Sequence, residues 1–575
     1  MFNRALAAAA LAVLAPAAAL AQQAPDAPVT TAPAAPIQPD GQQPDSQTAD
    51  QAPSNVPPPV EQQQIAAPDA WSVSAVARGA GALPEDLWSH SDPAALVTLF
   101  DRLPANYDSP AAQTLALRVL LSGGDAPHGD AQEAARKRFE ALGKMGAADP
   151  LATMAAGAGT ALSDPVIAQY AAQAELARGN RDQACARGRG ATITGPQVSV
   201  FLLRLRAFCS AATGDRAAAD LALATPHAAS ADDPWYAAVM AAVAGAAPAR
   251  LPAAKFDNSL SVQLSLAANL RPGPNALTNA STLALLTLAL ADNAPQPQRA
   301  QAAALAFRRG VLTTQIARDI LHSTPATVTA GLPSIATTLR AVDAAPGTVD
   351  AASAIATLLR AAAAPADFAA SARFFRADIN ALQQAPDAGA TVQLARASIV
   401  NGDVAVAQRL VASARQAGAD EMTMGPLDAA LAALMGLPGD PTMVMHRRID
   451  AAGSVIAAKR VAARDLLILS ALGATADATV QDFIGANAPV GGVHADAATM
   501  LALTTAVDQH ALGDAGLLAV AASGRGPAKL DAESVSAIIR ALRGVGLDSD
   551  ARRFAVEAIL AGAPAATAAA PTRAQ

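Results

Sequence analysis

Apolar residues recur at spacings of three and four along most of this chain, which is the period of a helix with one buried face. The stretch DPAALVTLFDRLP, beginning at Asp92, puts Leu96, Leu99, Phe100 and Leu103 on one such face. The next stretch, SPAAQTLALRVLLSGGD, presents Leu115, Leu117, Val119 and Leu120. Two amphipathic helices joined by a short link predict an antiparallel hairpin. The signals that start and stop helices are equally regular. Asp92-Pro93, Ser109-Pro110, Asp149-Pro150, Asp164-Pro165 and Asp233-Pro234 each offer a capping side chain followed by a proline suited to the first helical turn. Glycine paired with Asp or Asn, at Gly124-Asp125, Gly179-Asn180, Gly214-Asp215, Gly402-Asp403, Gly439-Asp440 and Gly513-Asp514, reads as the corner of a hairpin.

The corners recur at nearly even intervals: 35 positions from Gly179 to Gly214, 37 from Gly402 to Gly439, 74 from Gly439 to Gly513, and 33 from Gly513 to Gly546. These lie near one or two lengths of a helix-turn-helix repeat of about 34 residues. The interval from Gly124 to Gly179 is 55 and breaks the period. No long strand-like alternation is present, and aromatic residues make up only 3% of the chain. The expected fold is therefore all-α: an irregular, tetratricopeptide-like α-solenoid of about a dozen antiparallel helical hairpins.

The ends differ from this body. Residues 1–21, MFNRALAAAALAVLAPAAALA, combine Arg4, an apolar run and a small-x-small site, which predicts an export signal cleaved after Ala21. Residues 22–67 are mostly Pro, Gln, Ala and Asp without an aromatic or basic residue, and are expected to form a disordered linker. The body then divides into an N-terminal helical-hairpin region, 68–245, a loosely structured, proline-rich connection, 246–278, and a C-terminal helical-repeat region, 279–562. Residues 563–575 are expected to be a disordered tail. No apolar run after the signal reaches the roughly 18–20 residues of a membrane-spanning helix. The mature chain is thus expected to be periplasmic or secreted and not integral to the membrane.

The only two cysteines, Cys185 and Cys209, lie in an exported chain. If Pro196 to Thr213 forms one helix, the segment GRGATITGPQ must run extended back along it for the sulfurs to meet. At about 3.3 Å per residue it is long enough. A structural disulfide is expected, with a pair of buried thiols as the alternative. Neither cysteine belongs to a CxxC pair or neighbours a histidine, so a redox or metal role is not expected.

Little else carries chemistry. Basic and acidic residues number 41 and 48, and short basic pieces such as Arg204 with Arg206, or His446-Arg447-Arg448, do not form the aromatic-interleaved basic surface that nucleic acid requires. The seven histidines are dispersed, with no pair spaced to hold a metal on one helix face. His494 and Asp496 are the nearest approach to a site built from separate segments. The nucleophile and phosphate-loop motifs GxSxG, SxxK, GxxxxGK and GxGxxG are missing, and no cofactor is expected. Some exported cell-wall lyases pair a helical superhelix with a compact catalytic domain, but that domain's Glu-Ser signature is not found. Trp71 and Trp88 flank the start of the body; they offer a partner-binding patch or cover the open end of the first hairpin.

The pieces ALPEDLWSHSDPAALVTLFDRLP, RGNRDQACA and LLRLRAFCSAATGDRAAADLAL resemble a group of uncharacterised exported helical-repeat proteins of alphaproteobacteria, chiefly over Trp71 to Gly245. The resemblance implies the paired cysteines and the hairpin fold; it brings no activity and no functional residues. The resulting expectation is a non-enzymatic scaffold that binds another cell-envelope protein through its helical surface. An enzyme or enzyme accessory acting on peptidoglycan is the alternative.

Overall fold

The computed structural model describes residues 69–562 apart from 194–198, 216, 218–219, 222–223, 225–232, 246–249, 274, 326–333 and 383–385. The expected signal, linker and C-terminal tail lie outside the described residues, as does Pro196. All regular structure among the described residues is helical, in 26 α-helices and a few short 3-10 turns, with no strand. The described residues belong to one compact unit.

The helix starts follow from their caps. Asp92, Ser109, Asp164 and Asp233 each accept a hydrogen bond from a first-turn amide ahead of a proline. Asp149-Pro150 departs from the expectation. That helix begins one residue before Asp149, which lies inside the first turn and pairs with Arg178 at 2.7 Å instead of capping. Gly179 and Gly402 turn their hairpins with φ of 79° and 77°, joining Pro165–Ala177 to Arg181–Gly190 and Ala388–Asn401 to Val404–Gln416.

Two of the expected corners do a different job. Gly124 donates to the Trp71 carbonyl at 3.0 Å, and a Cβ there would stand 2.4 Å from the Glu85 carbonyl oxygen. Gly513 lies in the first turn of Leu512–Ser523, where a Cβ would meet the Trp88 ring at 2.7 Å. Both glycines are needed because another segment crosses too closely for a side chain. The stretch 246–278, expected to be loose, contains the helix Ser259–Ala267 with a full capping box between Asn258 and Ser261. It packs on Pro165–Ala177, as does Thr282–Leu290, so the core runs through this segment.

The two ends of the body meet. Pro110–Leu121 packs against both Leu512–Ser523 and Asp548–Ala561, and Pro93–Arg102 also packs against Leu512–Ser523. Arg118 forms an ion pair with the fully buried Asp550, and Arg525 bonds Asp108 at 2.9 Å. Pro110–Leu121 also reaches the middle of the chain, where Gln113 Nε2 donates to the Arg309 carbonyl at 2.8 Å. Alanine occupies many of the interior positions, which lets helix axes approach closely.

Residues 69–92 contain only short 3-10 turns and are held to the body by Arg138, from the helix Gln132–Met145. This side chain is fully buried. Its guanidinium donates to the carbonyls of Leu120 (2.9 Å), Ala70 (2.9 Å), Trp71 (3.3 Å), Ser122 (2.8 Å) and Val73 (3.3 Å). Burial pulls its pKa down to about 9, with a smaller opposing effect of the Asp69 charge, so it remains a cation at neutral pH.

Candidate functional site

The first turn of Pro110–Leu121 leaves amide groups unpaired by its own backbone, and the positive end of the helix dipole gathers there. The last helix, Asp548–Ala561, brings Glu557 to that point. Its Oε2 accepts the Ser109 hydroxyl at 2.9 Å and the Ala111 amide at 3.0 Å. Ser109 thus caps its own helix through the Ala112 amide while donating to Glu557. The second carboxyl oxygen, Oε1, is buried and has no hydrogen-bond partner. Burial pushes the Glu557 pKa up to about 7, against the opposing pull of Ala111 and Ser109.

Beside this carboxyl lies a half-open cavity of about 410 Å³, framed by the ends of five helices. Pro110–Leu121 contributes Thr114, and Pro365–Phe374 contributes Phe368. Ala388–Asn401 contributes Arg396 and Ile399, and Glu421–Leu434 contributes Leu434. The last helix adds Arg553, Val556 and Leu560 to Glu557. Most of the wall is apolar. The Arg396 guanidinium lies 4.4 Å from the Phe368 ring centroid, a cation–π contact, and its Nε is buried with no hydrogen-bond partner. Burial lowers its pKa. Arg553, in contrast, is engaged with Asp550 at 3.2 Å.

No family model, curated protein or solved structure matches the chain. Function is therefore argued from the residues themselves.

The sequence-predicted positions fall elsewhere. Trp71 and Trp88 are 4% and 0% exposed, so they present no surface to a partner. Their rings meet edge to face at 5.5 Å, Trp88 packs on Phe100 at 5.8 Å, and Arg138 stands within 6 Å of both tryptophan rings. They join the N-terminal stretch to Leu512–Ser523 through Gly513. Cys185 and Cys209 lie at disulfide distance with Cα atoms 5.9 Å apart, on helices Arg181–Gly190 and Val200–Ala212. The second helix is described from Val200 under a Ser199 cap. His494 is exposed and pairs with Asp531 at 2.7 Å, while Asp496 caps Ala497–Asp508 through the Thr499 amide. The two are not brought into one site. Among the described residues no group of three or more His, Cys, Asp or Glu side chains is arranged to hold a metal, and no helix is long and apolar enough to cross a membrane.

Sequence reasoning passed over Glu557 and Arg396. Glu557 had a visible signal, since it is the one charge in the apolar run FAVEAILAG. Arg396, in QLARASIVNG, looked like any solvated helix arginine.

Proposed function

We propose that the chain is an exported, periplasmic scaffold that acts by binding, an array of degenerate tetratricopeptide-like hairpins whose recognition element is the cavity at the junction of its ends. One observation carries this reading: a single half-open, apolar-lined cavity is framed by helices from near both ends and from the middle of the body, and its lining includes Arg396, which forms no ion pair among the described residues. The successive pairing of helices from Ala388–Asn401 through Ile456–Ala471 supports the hairpin array. The cysteine pair at disulfide distance supports an oxidising compartment.

Glu557, with a pKa near neutrality, also has the property of a general acid, which keeps the peptidoglycan-acting alternative in view. Glycoside cleavage generally needs a second carboxyl facing the same bond. Glu557 is the sole carboxylate lining this cavity, and the nearby Asp550 is already ion-paired with Arg118 and Arg553. Binding is therefore the better supported reading.

The test compares the mature protein with a Thr114→Trp variant in crosslinked cell envelopes. Thr114 is exposed and lines the cavity, so the indole fills the space with little disturbance of the core. A partner recovered near one-to-one with the natural protein and lost with the variant supports the reading. Equal recovery with both proteins removes the cavity as the recognition element. Release of glycan fragments from purified cell wall by the natural protein would favour the enzymatic alternative.

A further inference from the structure

Resting on the reading of the cavity as a binding site, we propose that its ligand is a straight-chain aliphatic carboxylate, with its two oxygens on the terminal nitrogens of Arg396 and its chain along the apolar wall. Arg396 lines the cavity and makes no hydrogen bond or ion pair among the described residues. Its Nε is buried, but Nη1 and Nη2 keep exposed surface. The guanidinium lies against Phe368, a second lining residue, 4.4 Å from the ring centroid. A guanidinium seated on a ring still has its N–H fork to offer, and that fork matches the two oxygens of a carboxylate.

The other polar side chains of the lining are already engaged. The Thr114 hydroxyl donates to the Pro110 carbonyl at 2.8 Å, and Asn401 Nδ2 donates to the Ala372 carbonyl at 2.9 Å. Arg553 pairs with Asp550 at 3.2 Å. Glu557 offers the cavity no free oxygen: Oε2 accepts from Ser109 and Ala111, and Oε1 is buried towards Gly526, where a Cβ would stand 3.1 Å from it. Phe368, Ile399, Val400, Leu434, Val556 and Leu560 make the rest of the wall largely apolar. One unpaired cation in such a wall selects an anion whose body carries no polar group.

Competing ligand classes fit less well. A peptide end brings amide groups against an aliphatic wall, where they give up water without a matching partner. A phosphate carries a second negative charge, and the other arginine of the lining is committed to Asp550. A neutral alkyl compound leaves Arg396 without a counter-charge. The volume, about 410 Å³, lies at the lower end of the roughly 300–1,000 Å³ found for small-ligand pockets, which fits a single short chain.

The experiment is a calorimetric titration of the mature, disulfide-intact protein with butanoate, hexanoate and octanoate, and with octanol, octylamine and octyl phosphate. Octanoate is expected to bind at least about tenfold more tightly than octanol, octylamine or octyl phosphate. Each lengthening by two methylenes, from butanoate to octanoate, should tighten binding by about tenfold as the chain leaves water for the wall. Arg396→Leu is expected to weaken octanoate by about tenfold or more and to leave octanol unchanged. Arg396→Lys, which keeps the charge and loses the fork, should fall between the natural protein and Arg396→Leu. Thr114→Trp should abolish octanoate binding, and circular dichroism establishes that each variant is folded.

Octanol, octylamine or octyl phosphate binding as tightly as octanoate, or affinity that does not change with chain length, would overturn the carboxylate assignment. If the probe that binds is lost with Thr114→Trp, the cavity stands as a binding site and only the ligand class fails. Octanoate binding equally to the natural protein, Arg396→Leu and Thr114→Trp would put it outside the cavity and overturn the proposal. If no probe binds, the proposal fails. The cavity reading then fails with it where the neutral apolar dye N-phenylnaphthylamine binds equally to the natural protein and Thr114→Trp, and stands where Thr114→Trp removes the dye.

Discussion

Replacing Arg138 by Met removes a cation of nearly the same length and asks whether five carbonyl bonds hold the N-terminal stretch to the body. The Trp71 carbonyl keeps the Gly124 amide as a partner, so four carbonyls, those of Ala70, Val73, Leu120 and Ser122, lose the guanidinium. Each buried carbonyl left unpaired costs about 1–3 kcal/mol, which for four carbonyls sets a ceiling of about 12 kcal/mol. Two effects reduce it: the guanidinium's own desolvation is relieved, and residues 69–76 can turn toward water. A net loss of about 3–5 kcal/mol is expected, the usual size for breaking a buried charge network. Arg138→Lys should recover less than half, because an ammonium has three donors and cannot present the planar fork that serves five oxygens. The assay is native-state hydrogen exchange over residues 69–76 and 120–125, combined with urea unfolding followed by tryptophan fluorescence. The reasoning is refuted if Arg138→Met leaves both the exchange rates and the urea midpoint where they were.

Three other outcomes are expected. Glu557, Asp514 and Asp465 have pKa values raised by burial to about 7, 6 and 6, so the folded chain binds more protons than the unfolded chain above the ordinary carboxylate range. The stability these groups contribute should therefore fall as pH rises from about 4, the ordinary carboxylate range, to about 7 and level off above it; Glu557→Gln should flatten the upper part of that decline in urea midpoints taken between about pH 4 and pH 8. Gly513→Ala gains helix propensity of about 1 kcal/mol but drives a methyl to 2.7 Å from the Trp88 ring; crowding should win, with a net destabilisation of about 1–2 kcal/mol and a shift in tryptophan emission. Separating Cys185 from Cys209, by reductant or by a double serine replacement, should cost about 3 kcal/mol in chemical denaturation, and the two treatments should agree.

Helix content was legible because its signals are local. Asp92, Ser109, Asp164 and Asp233 cap as their neighbours in the sequence suggest, and Gly179 and Gly402 turn where a left-handed residue is needed. Gly124 and Gly513 carry the same written signal for another reason, close approach by a segment far away in the chain, and no local pattern distinguishes the two uses. The candidate site was hidden for the same reason. Glu557 gains its environment from Ser109 and Ala111, separated from it by 448 and 446 positions, and Arg396 shares a cavity with both ends of the chain.

The contact between the ends bears on how such a chain stays folded. A stack in which each hairpin touches only its neighbours leaves an apolar face at either terminus, and repeat proteins cover those faces with polar caps. In this body the helices near the two ends pack on each other. Pro110–Leu121 buries Ala111, Ala112, Leu115, Ala116, Val119, Leu120 and Leu121, and Asp548–Ala561 buries Phe554, Ala555, Val556 and Ile559 among others. Each set is covered in part by the other helix, with Arg118–Asp550 and Ser109–Glu557 fixing their register. Trp71 and Trp88 are interior residues even though they precede the first long helix, because Arg138 stands over both rings and the helix holding Gly513 lies against Trp88. The mutual cover also makes the cavity a property of closure: Glu557 and Thr114 share a wall only while the ends are joined. Asp550→Asn, which weakens the ion pair with Arg118 while keeping the side chain's shape, should therefore loosen the cavity and the N-terminal stretch together. Hydrogen exchange in residues 69–76 and 548–561 should rise in parallel while the hairpin 388–416 stays protected; a rise confined to one end would separate the two and contradict this account of closure.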